Sequence, residues 1–536
     1  MKGFERHSKW LIIVAFFGAY LALGLTILPD YGISFDEPIQ RDHGIVAVDY
    51  MNGLFGWYEG KVFEQHDYQS YEHRYYGVLF SSTAYGLECL LKLDDFREWH
   101  LLRHYMVFGL AWIASIFFFG LLIRCFADWR WALLGTLFLI LSPRLFAHNF
   151  YNVKDAVLVS TYIIASFALI GYLETFSWRR TLGFALATAV LINVRIVGLV
   201  IPLLVGIWLI PALVYHWQEG AMRRQILLSA LAYFGLSAVL TILLWPYLWE
   251  APLAHLLEAF LAMDRYKWAG TVRLWNETYQ AQQVPWFYLP SWMLITIPLV
   301  YWLLFLRGFF PLIRQTLVPF FTWKWEQTFD GRFRNAGVIL SLFLVPILIV
   351  IGLGSTLYDG WRQLFFIYPP FLVIALYGLH RQLSGMTHTG ARMVLALVLV
   401  LTAQVGYRMI RIHPQQQVYF NLLAGDRIEF RHETDYWGLS YKQALEALLQ
   451  VDPSDSVSYY APNYPGTANR EFLPDSLRRR LDQRWQYDAG AEYYLTNFRS
   501  DEERSRFRDR IPPFNREVLI IRADGIPILG VFRMQE

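Results

Sequence analysis

Ionisable side chains cluster where long apolar runs begin and end, and their types suit one kind of chemistry. Gly32-Ile-Ser-Phe-Asp-Glu-Pro38 follows the apolar run Leu11 to Leu28. A carboxylate such as Asp36 or Glu37 at that boundary can remove the proton of a hydroxyl nucleophile. The same Asp-Glu-Pro also suits a helix start, where negative charge is favourable. Pro38 is expected to hold Glu37 extended, turning the two carboxylates in different directions. Further on, Ser142-Pro-Arg-Leu-Phe-Ala-His-Asn-Phe-Tyr-Asn-Val-Lys-Asp155 joins two apolar runs. Arg144 and Lys154 could stabilise a phosphate leaving group, Arg as a bidentate ligand and Lys as a point charge. Each is equally suited to snorkelling at a membrane boundary. His148 and Asn152 lie between them, and Asp155 is either an acid–base group or a cap for the next helix. In Tyr358-Asp-Gly-Trp-Arg362, Arg362 can pair with Asp359 or bind phosphate, with Tyr358 beside it. Arg195 interrupts an apolar run of about 35 residues, which one span of roughly 20 cannot absorb. It is a functional candidate by its position or an anchor at a helix end.

The elements that must position these residues are membrane-spanning helices. Of the 536 residues, 55% are hydrophobic and only 17% charged, against about 25% charged in soluble chains. Eleven apolar segments are expected, at 10–28, 105–123, 131–147, 155–173, 181–194, 197–215, 227–245, 288–306, 336–353, 364–379 and 393–410. The first follows Lys2, Arg6 and Lys9, but its length and the lack of a cleavage site mark it as a retained span. Basic residues set the orientation. Arg124, Arg130, Arg179, Arg180, Arg223, Arg224, Arg307, Arg314, Lys324, Arg332, Arg334, Arg381 and Arg392 fall in alternate connections, and the intervening short ones hold only Arg144, Lys154, Arg195 and Arg362. The N-terminus is therefore expected in the cytoplasm and the C-terminus outside.

The expected organisation is an all-α polytopic membrane domain over 1–410, with a large first outer loop at 29–104, and a small α/β or α+β extramembrane domain over 411–536. In that tail, strands are expected at Ser456–Ala461, Glu492–Leu495, Glu517–Ile521 and Pro527–Phe532, and a helix at Ser440–Leu449. An amphipathic stretch, Ala251 to Met263, should lie in the membrane interface. A net charge of +3 and the lack of a basic run give no sign of nucleic-acid binding. Cys89 and Cys125 cannot build a CxxC site. His66, His73, His100 and His104 fall in the first outer loop without a metal-binding motif, so no cofactor or divalent metal is indicated.

These motifs resemble those of bacterial GT-C glycosyltransferases, in the group related to protein O-mannosyltransferases and the lipid A aminoarabinose transferase. The resemblance rests on Asp36-Glu37, Arg74-Tyr-Tyr-Gly77, Ser142-Pro-Arg-Leu-Phe146, Asn152-Val-Lys-Asp155 and Tyr358-Asp-Gly-Trp-Arg362. His413-Pro-Gln-Gln-Gln-Val-Tyr-Phe-Asn421 and Asp435-Tyr-Trp-Gly438 add to it. It implies a GT-C-like fold of about 11 spans in the plasma (inner) membrane. It implies inverting transfer of a sugar from a polyprenyl-phosphate donor to a lipid, glycan or protein acceptor on the outer face. By the same resemblance Asp36 is catalytic with Glu37 beside it, Asp155 is the second-loop acid, and Arg144, Lys154, Arg195 and Arg362 hold the donor phosphate. The tail lacks the repeat domains of eukaryotic mannosyltransferases, and the span number suits their plan better than the longer aminoarabinose transferase plan. A transporter or lipid-linked sugar flippase is the competing class. It predicts paired halves and polar groups at mid-membrane, whereas here the polar clusters lie at one face.

Overall fold

The computed structural model describes residues 2–56, 68–264, 268, 270–487 and 490–534. Among them, nine helices are long and apolar enough to cross a membrane, so the chain is a multi-pass membrane protein. A tenth candidate is the pair Trp129–Ile140 and Pro143–Tyr151, bent by 71°. The bend falls at Ser142-Pro143, where proline removes a helical N–H.

The expected segment at 181–194 is shorter than the long apolar helices. That segment is the 15-residue helix Trp178–Ile192, which rises about 22 Å, short of the roughly 30 Å hydrocarbon core. Its two ends nevertheless meet both ends of the preceding helix, Asp155–Glu174. Arg195, beyond its C-terminus, pairs with Asp155. Arg180, near its start, donates to the Gly171 carbonyl at 2.6 Å and to Glu174 at 3.2 Å. The segment at 288–306 is also broken, into Tyr288–Thr296 and Leu299–Phe321. Carbonyls freed near the break, on Leu294 and Ile297, accept from Asn421 Nδ2 at 2.6 and 2.7 Å. One of the motifs that carry the resemblance thus mends a broken helix.

On the side of the bundle that bears Asp155, the helices Glu37–Phe55 and Leu79–Leu91 pack together. A further helix, Pro252–Asp264, exposes Leu253, Leu257, Phe260 and Leu261, the face of a helix lying in an interface. It leads into a hairpin, Thr271–Leu274 with Glu277–Gln280.

After the last long helix, His388–Arg411, the chain builds a five-stranded sheet on that same side. Its order is Leu481–Arg484, Val457–Tyr460, Tyr493–Thr496, Ile526–Arg533, Glu517–Ala523. The first three strands run parallel, and Ile526–Arg533 runs antiparallel to both of its neighbours. The helix Ser440–Val451 buries Tyr441, Ala444, Leu445 and Leu448 and packs against the Ile526–Arg533 strand. That strand is buried along almost its whole length, as a central strand covered on both faces should be.

Candidate active site

Segments distant in sequence meet beneath the C-terminal domain around a cavity of about 390 Å³. The loop after the first span supplies Asp36. Ile33 is bonded at both its N–H and its carbonyl to the Asn469 side chain, at 2.8 and 3.0 Å, and the Phe35 N–H donates to the Trp437 carbonyl at 3.1 Å. Gly32 is needed for this close approach. A Cβ there would overlap Asn469 Oδ1 and lie 2.8 Å from the Leu439 carbonyl oxygen.

Glu37 departs from expectation twice. It is the first residue of the helix Glu37–Phe55 rather than extended, because Pro38 in a first helical turn forfeits no hydrogen bond. Its carboxylate also turns away from the cavity. Fully buried, it accepts from the Ser34 N–H at 2.7 Å and pairs with His104 Nε2 at 2.8 Å. It is a clip that holds the loop presenting Asp36, which is itself 29% exposed.

Asn152, not Asp155, caps the helix Asp155–Glu174. Its Oδ1 accepts from the Lys154 and Asp155 N–H groups at 3.1 and 2.7 Å, and its Nδ2 donates to His148 Nδ1 at 2.8 Å. His148 therefore orients Asn152, whose Nδ2 also donates to Asp155 Oδ2 at 3.2 Å, and each oxygen of Asp155 meets a cation. One pairs with Arg195, and the other accepts from Arg362 Nη1 at 2.8 Å. Two guanidiniums thus hold a fully buried carboxylate. Asp36 is only loosely engaged, 3.4 Å from Arg362.

Arg362 is buried, its guanidinium 4.4 Å from the Trp437 ring and 4.9 Å from the Tyr358 ring. Asp359 lies 3.5 Å from it and is held more closely by Arg499 of the C-terminal domain, at 2.7 Å.

Lys154 differs from the other cations. It is buried, its ammonium is 3.2 Å from the Tyr76 ring centroid, and among the described residues it pairs with no carboxylate. Burial, then the Arg195 guanidinium, pushes it well below the usual lysine range. Tyr76 is brought here by Gly77, where a Cβ would overlap the Asn193 carbonyl. Arg144 does not join the cluster. Its Nε donates to the Tyr419 carbonyl at 2.9 Å and its guanidinium packs 4.6 Å from the Phe420 ring, outside the cavity lining. Its role is to tie the bent helix to the segment after the last span.

A second, mainly apolar cavity of about 150 Å³ adjoins the first, sharing Tyr76 and Tyr358. Arg195 lies in its wall with Phe260, Ile349 and Leu353. The two spaces together can take a molecule with a polar head and an apolar chain.

Gln40, His43, Trp437, Asn463 and Arg499 also line the larger cavity and were not expected there. Asp36, Gln40 and His43 follow i, i+4, i+7 spacing, a signal that one helix face carries all three. The C-terminal residues carry no comparable local signal. His73 lines the cavity, His100 bonds the Phe96 carbonyl at 2.8 Å, and His66 lies outside the described residues. Among the described residues no group of three His, Cys, Asp or Glu is placed to hold a metal.

No protein-family model matches the sequence, and a search of curated proteins gives no match. A comparison with solved structures finds similarity at low identity. The oligosaccharyltransferase AglB from Archaeoglobus fulgidus, in complex with an inhibitory peptide and a dolichol-phosphate, is 10% identical with a TM-score of 0.44. That match covers 87% of this chain and 66% of the archaeal one, so the chain spans just under two thirds of that protein's length. The apo form of the Archaeoglobus fulgidus oligosaccharyltransferase is 8% identical, with a TM-score of 0.48 and coverage of 90% and 69%. ArnT from Cupriavidus metallidurans bound to undecaprenyl phosphate is 14% identical, with a TM-score of 0.45 and 97% of each chain covered.

Proposed function

We propose that the chain is an inverting GT-C-type glycosyltransferase that moves a sugar from a polyprenyl-phosphate carrier to a hydroxyl-bearing acceptor. One observation carries this reading. A loosely held carboxylate, Asp36, and a buried ammonium with no carboxylate partner among the described residues, Lys154, line one cavity that opens beside an apolar groove. The carrier's chain takes the groove, its phosphate sits at Lys154 and Arg195, and the sugar projects towards Asp36. The acceptor oxygen attacks the anomeric carbon, Asp36 takes its proton, and the bond from that carbon to the phosphate oxygen breaks. The charge gathering on the departing phosphate is met by fixed cations in a water-poor site. Asp155 does not react; it holds Arg195 and Arg362 in place. Among the described residues that line the cavity, the other carboxylate, Asp359, is engaged by Arg499, and Asp155 behind Arg362 is engaged by two guanidiniums, which supports inversion.

The cationic ends of the helices, among them Arg124, Arg180 and Arg334, lie opposite the site. By the positive-inside rule that end is cytoplasmic and the site faces outward. The reading is tested with purified protein in liposomes supplied with polyprenyl-phosphate sugars extracted from membranes. The expected result is release of sugar-free polyprenyl phosphate that depends on an added acceptor. Movement of the intact lipid-linked sugar between leaflets without cleavage would instead make the chain a flippase.

A further inference from the structure

His43 is about two helical turns from Asp36 on the same face, and it belongs to neither the proton transfer nor the phosphate contacts described above. It is 2% exposed, lines the cavity, and neither of its ring nitrogens has a hydrogen-bond partner among the described residues. Buried polar atoms are normally paired, so this imidazole calls for an explanation. Its placement is firm. The next residue, Gly44, is seated so closely on the Leu79–Leu91 helix that a Cβ would overlap the Ser81 carbonyl. The ring lies nearly parallel to Tyr76, with centroids 5.5 Å apart and planes at 16°. His73 and Tyr71 flank it at 5.2 and 5.7 Å. Burial, with the Lys154 ammonium nearby, keeps the imidazole well below the usual histidine range and hence neutral.

We infer that His43 is a sugar-binding residue, reading hydroxyl groups of the transferred sugar against the aromatic shelf of Tyr76. This inference rests on the transferase reading and extends it to the sugar. A neutral imidazole offers one N–H donor and one acceptor nitrogen, which suits hydroxyls that both give and accept hydrogen bonds. Tyr76, packed against the imidazole, lines the same cavity. Tyr76 also carries the Lys154 ammonium on its ring, so the shelf sits next to the proposed phosphate position, where the first sugar of a donor must lie.

The test uses the full chain in detergent, with synthetic polyprenyl-phosphate hexoses and their mono-deoxy analogues as donors. Sugar-free undecaprenyl phosphate serves as a separate binding probe. His43→Phe keeps a ring and removes both nitrogens. It is expected to bind undecaprenyl phosphate as the unmodified protein does, while the kcat/KM preference for a hexose over its deoxy analogue falls by about tenfold, the scale of one lost hydrogen bond. His43→Gln, which keeps a donor and an acceptor, is expected to retain most of that preference. An unchanged preference in His43→Phe overturns the inference. Should His43→Phe fail to bind undecaprenyl phosphate, His43→Ala carries the same comparison. If the unmodified protein itself does not bind undecaprenyl phosphate, the carrier reading fails, an outcome separate from any result at His43.

Discussion

At the scale of single residues, the site divides labour between groups that look alike in the sequence. Asp36 and Glu37 are neighbours, yet one faces the cavity and the other is consumed in a clip between Ser34 and His104. The sequence showed that two carboxylates lie at a membrane boundary. It could not show which was spent, because His104 is 67 residues away. Asp155 stood out in the sequence, and in the structure it pairs with Arg362 of the cavity wall while Asn152 does the capping. Replacing Asp155 with Asn removes the negative partner of two buried cations. A loss of about 3 kcal/mol in stability is expected, along with weakened donor binding; thermal unfolding in detergent and the donor KM would register both. Lys154 makes a prediction about pH. Its ammonium is held below the usual lysine range, so part of the population loses its proton at a pH where a free lysine keeps it. A bound phosphate favours the ammonium, so donor binding takes up a proton and weakens as pH rises. Lys154→Arg, charged throughout, should flatten that slope. A donor affinity in the unmodified protein that does not change with pH would contradict the assignment.

At the scale of elements, positioning depends on contacts between chain segments that no local pattern announces. The strands in the tail were legible where apolar and β-branched residues dominate, as in Val457–Tyr460 and Ile526–Arg533. Leu481–Arg484 was not, because it is an edge strand rich in polar side chains. The Thr271–Gln280 hairpin also escaped. Its two-residue turn uses Trp275 and Asn276 at φ of 56° and 70°, where Asn-Gly would have been the recognisable signal. The helix Trp178–Ile192 reads as a span from its apolar content alone, although its length falls short. Asn469 couples the C-terminal domain to the loop after the first span. It bonds Ile33 at both its N–H and its carbonyl, and it also donates to Pro465 at 2.9 Å. Asn469→Ala should lower stability by about 1–3 kcal/mol and slow turnover by displacing the Asp36 loop. Donor binding should change little, since Lys154 and Arg195 stand on other elements. Unimpaired turnover in a destabilised Asn469→Ala protein would show that the domain contact does not position Asp36.

At the scale of the whole molecule, the C-terminal domain and the site share one end of the bundle. Arg499 and Trp437 form part of the cavity wall while they also hold Asp359 and Arg362. The fold class was visible in the apolar runs, and the motif resemblance brought Asp36, Asp155 and Arg362 to one place. The domain's share in the wall was not visible, because it depends on chain segments hundreds of residues apart. The two cysteines report sidedness. Cys89 is exposed, on the helix packed beside Glu37–Phe55, and Cys125 lies at the far end of the span Phe96–Phe126. A membrane-impermeant thiol reagent applied to intact spheroplasts should label Cys89 and spare Cys125; labelling of Cys125 alone would reverse the orientation. The central claim is that Asp36 takes the acceptor's proton, and it is tested most directly by single-turnover transfer with Asp36→Asn, which keeps the side chain's shape but cannot act as the base. The expected result is a rate lower by about 10²–10⁴-fold with undecaprenyl phosphate binding unchanged. Near-normal turnover in Asp36→Asn would contradict it.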